Sequence, residues 1–239
     1  MTIDDPASAT PFRYLDVDDP ARSYEDLLRA APRTQRSPVW FGPDTTQWFG
    51  EVPVPSDLAV AVGEHDPAEV LSRWWPGPCP DGCACLDPYT GAFPPLIRAS
   101  GTDRSRRRAT LAEAVSFGRE AGDLASLAVV DAERPADVPA ALGWCGVINY
   151  PHQDLVGLSA VLRSWEERFG ATLVWIGGFT LVLVVADPPR TREESERVAA
   201  EHFAFCPDQI DPQDGREPYS PRSYAREIRR ARLWKFWWD

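Results

Sequence analysis

The residue types that could support chemistry cluster near the end of the chain. His202 and Cys206 stand four positions apart in a stretch with helical periodicity, so their side chains share one helix face. An imidazole and a thiol at this spacing could bind one metal ion or form a thiolate–imidazole pair. The same face carries apolar residues, and a buried cysteine commonly acts as a small hydrophobic side chain. We therefore favour a structural interpretation of this pair over a catalytic one.

Two aspartates follow strongly apolar stretches in the same region. Asp208 comes directly after Pro207, and Asp239 comes after Trp238, so both are expected at the edge of a core. Two neighbouring carboxylates could perform general acid–base catalysis or bind Mg²⁺. A turn cap at Asp208 and an ion pair between Asp239 and a preceding arginine are the simpler alternatives. Together with His202, these aspartates are the catalytic candidates of a small hydrolase or transferase.

Three cysteines lie in a segment rich in proline and glycine, which predicts an irregular loop over residues 76–95. Cys79, Cys83 and Cys85 could supply three thiolates to zinc, with a distant His or Cys as the fourth ligand. Cys-x₃-Cys-x-Cys is not a common zinc spacing, and unbound thiols or a local disulfide account for it equally well. We expect no cofactor, with zinc as the less favoured alternative.

Composition and charge exclude several classes of protein. The 239 residues are 44% hydrophobic and include ten tryptophans, enough for a substantial core. Thirty-six acidic and 25 basic residues give a net charge of −11, which argues against a general nucleic-acid binder. Met1–Pro6 lacks the apolar region of a signal peptide, and the apolar run Leu173–Ala186 is too short to span a membrane. Five cysteines, an odd number, suit a reducing compartment, so we expect a cytoplasmic protein.

The chain divides into three predicted segments. Residues 1–56 are rich in proline and partly irregular, with one helix at residues 20–31 that Asp19 caps and Pro32 ends. Residues 57–105 form a small β-α region that ends in the cysteine loop. Its elements are a strand, Leu58–Val62, and a helix, Pro67–Trp75. An arginine-rich run near residue 105 predicts the boundary with the third segment, residues 106–239.

The sequence pattern of the third segment predicts an α+β domain. The order from residue 143 is β-α-β-β-α, an extra helix, then β, which favours a ferredoxin-like (β-α-β-β-α-β) sandwich. Its predicted strands are Cys145–Asn149, Ala171–Ile176, Phe179–Ala186 and Leu233–Trp238; its helices are Asp154–Phe169, Thr191–Cys206 and Ser220–Ala231. Gly177-Gly178 is expected to supply the positive φ of a tight hairpin. Because the hairpin strands are apolar on both sides, we expect the N-terminal segment to cover the second face of the sheet.

Motifs spread over the last hundred residues resemble a known family. They are Gly143-Trp144, Asn149-Tyr150, the Trp165–Leu181 region, His202–Asp208 and the terminal Trp237-Trp238-Asp239. In these motifs the chain is similar to the bacterial domain of unknown function family 4253, common in actinomycetes, over about residues 143–239. The resemblance implies no established activity, and the cysteine loop lies outside it.

The sequence favours a non-catalytic binding module, of an immunity or other interaction type, that takes a protein partner or a small ligand. A strong core pattern accompanies an absence of phosphate-loop, dinucleotide, nucleophile-elbow and metalloprotease motifs. The predicted groove lies near the C-terminus, and its candidate ligand-contacting residues are Asn149, Cys206, Trp237 and Trp238. Asn149 could equally be a simple turn residue. The alternatives are the small hydrolase or transferase and the zinc protein described above.

Overall fold

The computed structural model describes most of the chain. The described residues are 10–50, 52–78, 82, 84–97, 112–114, 116–117, 125–147, 154–210 and 220–238. Of the predicted site residues, Cys79, Cys83, Asn149 and Asp239 lie outside these ranges, as does the predicted boundary near residue 105.

A single mixed sheet of six strands organises the described residues, in the order β1-β3-β2-β4-β5-β6. The strands are β1 (Phe12–Tyr14), β2 (Ser37–Phe41), β3 (Ser126–Val130), β4 (Ala171–Ile176), β5 (Thr180–Val185) and β6 (Leu233–Trp237). Only the β2–β4 pair is parallel among these neighbours, with Trp40 opposite Trp175. A strand from the predicted N-terminal segment therefore lies between two strands from the C-terminal segment.

Helices flank the sheet. They are α1 (Pro20–Thr34), α2 (Leu58–Gly63), α3 (Pro67–Trp74), α4 (Val138–Ala141), α5 (Leu155–Phe169), α6 (Arg192–Phe205) and α7 (Pro221–Ile228). Short 3₁₀ turns occupy Thr45–Trp48, Pro135–Asp137 and Pro207–Gln209. The Asp19, Asp154 and Thr191 side chains each accept from a backbone N–H of the first turn, which satisfies donors that a helix start leaves unpaired.

One face of the sheet carries an aromatic core beneath α5 and α6. Trp165 of α5 stacks on Phe236 of β6 with ring centroids 5.3 Å apart, and Phe205 of α6 packs against both rings. Trp234 and Trp238 point to the same side and are 1% exposed. The closing aromatic segment is therefore an edge strand of the sheet, as the sequence predicts.

The N-terminal helix covers the second face. Tyr24 of α1 is fully buried and stacks on Trp40 of β2, with ring centroids 5.8 Å apart. Val174 and Val182 of the β4–β5 hairpin belong to the same apolar cluster. The prediction that N-terminal residues bury the second side of this hairpin is confirmed.

The ferredoxin-like order predicted for residues 143–239 is not confirmed. Residues 145–147, predicted as part of its first strand, lie in a loop that ends in a turn, and the parallel neighbour of β4 is β2. Cys145 N–H donates to the Trp48 carbonyl, so this apolar run packs against a loop and not along a strand. Apolar content predicted the burial of the run correctly but could not specify its backbone conformation.

Leu58–Val62, predicted as a strand, forms most of the short helix α2. The Asp57 carboxylate accepts from the Val60 N–H at 3.1 Å and starts the helix. A short, wholly apolar run has no periodicity that separates the two structures, so this prediction was wrong. The end of α1 also differs: Pro32 lies inside the helix, which ends at Gln35 with a φ of 55°.

The hairpin between β4 and β5 needs its two glycines for close packing. Neither Gly177 nor Gly178 has a positive φ, contrary to the prediction. Instead, Trp144 Nε1 donates to both of their carbonyl oxygens at 3.0 Å. A Cβ added at Gly178 would lie 2.9 Å from Trp48 Nε1. Small residues at the turn therefore let two tryptophans approach its backbone.

Candidate functional site

His202, one of the three catalytic candidates, lies inside the aromatic core. It is 0% exposed, and the rings of Trp165, Trp234 and Phe236 surround it with centroids 4.6 to 4.9 Å away. Its Nδ1 lies 3.2 Å from the Tyr224 hydroxyl, and its Nε2 has no hydrogen-bond partner among the described residues. Burial, reinforced by the charge of Arg168, lowers the pKa of His202 to about 3. The imidazole is therefore neutral near pH 7 and out of reach of solvent.

Cys206 is a buried thiol that joins the end of α6 to the last strand. Its Sγ donates to the Trp237 carbonyl at 3.0 Å, and burial raises the pKa of the thiol well above its usual range. The hydrogen bonds of Cys206 and His202 go to different partners, Trp237 and Tyr224. This geometry supports the structural interpretation of the pair.

The remaining predicted residues are spread over different environments. Asp208 is half-buried in a 3₁₀ turn, whereas Trp238 is 1% exposed and packs edge-on against Trp144. Trp237 is 41% exposed on the edge strand. Cys85 is half-buried in the loop region. Within the described ranges, no three His, Cys, Asp or Glu side chains are grouped so that they could hold a metal ion.

A buried ion pair that the sequence does not indicate joins α5 to α6. Glu201 is 1% exposed, and both of its carboxylate oxygens accept from the guanidinium group of Arg168. Trp165 Nε1 also donates to Glu201, at 2.7 Å. With three donors the carboxylate is well satisfied, as a buried charge must be. Its role is to hold the two helices together beneath the sheet.

A cleft of about 530 Å³ lies between α1 and α5. Its wall on the α1 side is mainly apolar and comes from Leu28, Ala31 and Pro32. The remaining lining residues are Arg29, Ala114, Glu133, Arg134, Pro135, Glu166, Glu167, Gly170 and Thr172. A concave site with an apolar wall and a few converging polar groups is typical of small-molecule sites, and its volume is in their usual range.

Arg134 organises the charged side of the cleft. Its Nε donates to Glu166 and its NH1 donates to Glu167, each at 3.0 Å. The Arg134 and Glu166 side chains are 29% and 27% exposed, whereas Glu167 is 66% exposed. Burial raises the pKa of Glu166 above its ordinary value, although Arg134 opposes this shift. The charged form of Glu166 is therefore disfavoured by burial, and a nearby cation stabilises it.

The local backbone explains how these groups come together. Arg134 follows β3 and precedes the 3₁₀ turn that begins at Pro135. Glu166 and Glu167 occupy the last turn of α5, which Gly170 ends with a φ of 60° and a hydrogen bond to the Glu166 carbonyl. Acids in the last helical turn oppose the helix dipole. That mismatch is the sequence signal that could have identified this site.

Every helix in the described ranges is too short or too polar to cross a bilayer.

Comparison with known proteins identifies one family. Residues 126–239 match the family model described as Domain of unknown function (DUF4253). The match begins at β3 and includes Arg134, Glu166 and Glu167, whereas α1, the opposite wall of the cleft, precedes it. No curated protein and no solved structure matches the chain.

Proposed function

We propose that this chain, whose residues 126–239 match the DUF4253 family model, is a non-catalytic binding module that holds a small ligand between α1 and α5. The observation that carries the proposal is the cleft itself, in which the apolar wall of Leu28 and Pro32 faces the charged group formed by Arg134 and Glu166. Such a combination can exclude water from an apolar ligand body and orient a polar end.

The enzyme alternative receives less support from the geometry. A hydrolase or transferase that uses Asp208, Asp239 and His202 needs a histidine that substrate and water can reach. His202 is 0% exposed and its pKa is about 3, so it is a poor proton acceptor at neutral pH in this conformation. A zinc protein built on Cys79, Cys83 and Cys85 is the second alternative.

The cellular setting is part of the same proposal. Cys145 and Cys206 are buried thiols, which suits a reducing cytoplasm. In an immunity-type role, a partner protein and not a small molecule would insert a side chain into the cleft. The two forms of the proposal share one site, so the same substitutions test both.

The test is affinity selection from the small-molecule extract of the native host, with mass spectrometry of the compounds that the purified protein retains. Thr172→Lys is the test variant because Thr172 lines the cleft and a lysine there adds both bulk and charge. Thr46→Lys is the matched control because Thr46 is exposed in a 3₁₀ turn far from the lining residues.

We expect the wild-type protein and Thr46→Lys to retain the same compound and Thr172→Lys to lose it. Urea unfolding of each protein verifies that the variants are folded. Retention of no compound, or equal retention by a folded Thr172→Lys variant, contradicts the proposed function.

A further inference from the structure

We propose that the ligand of the α1–α5 cleft is a small organic cation, an ammonium or guanidinium group attached to an apolar body. This inference rests on the proposed function and adds the chemical class of the ligand.

Acidic groups outnumber basic groups around the cleft. The lining contains three carboxylates, from Glu133, Glu166 and Glu167, and two guanidinium groups, from Arg29 and Arg134. Two further acids, Glu25 and Asp26, pair with Arg29 from its own helix. Within the described lining, three carboxylates therefore face two guanidinium groups, and this excess of negative charge favours a positively charged ligand.

Both arginines of the lining already have anionic partners. Arg134 donates to Glu166 and Glu167. The Arg29 side chain is 58% exposed and pairs with Glu25 of the same helix. An anionic ligand would therefore have to compete with carboxylates that are covalently part of the protein.

One lining carboxylate, that of Glu133, has no cationic partner among the residues that the structure describes. Glu133 is exposed at the rim of the cleft, and no basic group in the described ranges lies within ion-pair distance of it. Glu167 lines the same cleft and has a second carboxylate oxygen beyond the one that Arg134 contacts. The rim therefore provides a carboxylate that no cation of the described ranges pairs.

The backbone adds negative potential from two directions. The last turns of α1 and α5 both line the cleft, through Ala31 and Pro32 in one helix and Glu166 to Gly170 in the other. The C-terminal end of a helix carries a partial negative charge because its last carbonyl groups lack intrahelical donors. Two such ends favour a cation independently of the acidic side chains.

The apolar wall indicates the chemical nature of the uncharged part of the ligand. Leu28, Pro32 and Pro135 offer hydrocarbon surface opposite the acids. A small fully hydrated inorganic cation would gain nothing from that wall, whereas an organic cation would bury its ring or chain against it. The combination of wall and charge therefore favours an amphipathic cation.

The test compares three probes that share one apolar body: benzylammonium, benzyl alcohol and benzoate. Each is titrated at millimolar concentration into the full ¹⁵N-labelled chain, and amide chemical shifts are followed at a fixed pH and ionic strength. We expect benzylammonium to bind about fivefold or more tightly than benzyl alcohol, with benzoate weakest, and to shift amides around Gly170 and Thr172. An advantage of this size corresponds to one partly exposed ion pair.

The matched variants are Glu133→Gln in the rim and Glu64→Gln at the exposed end of α2. Glu133→Gln should weaken benzylammonium about two- to fivefold and leave benzyl alcohol unchanged, because it removes charge but preserves shape. Glu64→Gln should change neither. Equal binding of the three probes, preference for benzoate, or binding that Glu133→Gln leaves intact overturns the cation proposal.

Failure of this inference can be separated from failure of the proposed function. If the neutral or anionic probe shifts the same amides, the cleft is a binding site and only the ligand class is wrong. If no probe shifts these amides and no host compound is retained, both proposals fail.

Discussion

Individual side chains in this protein show how burial changes chemistry. His202 and Cys206 have the types and spacing of a catalytic or metal-binding pair, yet the fold places both among aromatic rings. Burial disfavours the imidazolium and the thiolate alike. Burial likewise disfavours the charged form of Glu166, which makes this carboxylate dependent on Arg134.

His202 should make the stability of the fold depend on pH. Its pKa is about 3 when folded and 6.5 in a model peptide, so the unfolded chain binds a proton that the folded chain excludes. Stability from this group is complete above pH 6.5 and is lost as the pH falls toward 3. Between pH 7 and pH 5 the loss should be about 2 kcal/mol.

Urea unfolding at the two pH values measures this effect. In His202→Phe the difference between pH 7 and pH 5 should shrink by about that amount. Tyr224→Phe is the control: it removes the hydroxyl near Nδ1 but retains the burial, which is the main cause of the shift, so it should keep the wild-type pH dependence. The same pH dependence in His202→Phe as in the wild type would refute this assignment.

A small guanidinium compound in solution should partly replace the Arg134 side chain when that side chain is removed. Arg134→Ala leaves the partly buried Glu166 without its partner and should lower the free energy of unfolding by about 1–3 kcal/mol. Millimolar ethylguanidinium should stabilise this variant more than the wild type, as measured by thermal unfolding. Arg36→Ala, which removes an exposed ion pair with Asp131, should show no such rescue. Equal responses of the two variants would argue against a cation position in the cleft.

At the scale of elements, α5 and α6 are joined by more than apolar packing. Glu201→Gln keeps the shape of the side chain but removes the charge that satisfies Arg168 and should destabilise the protein by about 2–4 kcal/mol. Glu193→Gln on the same helix breaks an exposed pair with Arg197 and should change stability by about 0.5 kcal/mol or less. Urea unfolding measures the decrease in the free energy of unfolding for each variant. Similar decreases in the two variants would show that burial of Glu201 has little energetic consequence.

The sequence predicted those elements whose signals are local. The helices predicted over Asp154–Phe169 and Thr191–Cys206 match α5 and α6, because the Asp154 and Thr191 side chains cap backbone donors within the first turn of each helix. The strand predictions for residues 145–147 and 58–62 were wrong because the conformation of these residues depends on their packing partners and not on their own periodicity.

The cleft could not be predicted for a related reason. It forms where α1, the residues after β3 and the end of α5 meet, and these segments are far apart in the sequence. Arg134 and Glu166 are 32 residues apart, so only the folded sheet brings them together. The acidic end of α5 was visible in the sequence as a mismatch with the helix dipole, but its partner was not.

At the scale of the whole molecule, the folding of the segment that matches the family model depends on the residues before it. The DUF4253 match, residues 126–239, excludes β2, which pairs with both β3 and β4. A fragment of residues 126–239 would lose this central strand and expose the face that α1 covers, including Val174 and Val182. Such a fragment should lack a cooperative unfolding transition, because both backbone donors and apolar surface lose their partners.

Differential scanning calorimetry of the fragment and of the full chain tests this dependence. The full chain should give a cooperative transition, and the fragment should give none or one of much smaller enthalpy. A fragment that unfolds cooperatively, with the enthalpy expected for its length, would show that residues 126–239 fold without the N-terminal strands.

The central claim is that the cleft between α1 and α5 is occupied in function. The most direct measurement is the intermolecular nuclear Overhauser effect between bound benzylammonium and methyl groups of the isotope-labelled protein. The account predicts contacts from the aromatic ring to the methyl groups of Leu28 and Thr172, on opposite sides of the cleft. Contacts confined to another surface, such as the exposed Leu233 beside Trp237, would contradict it.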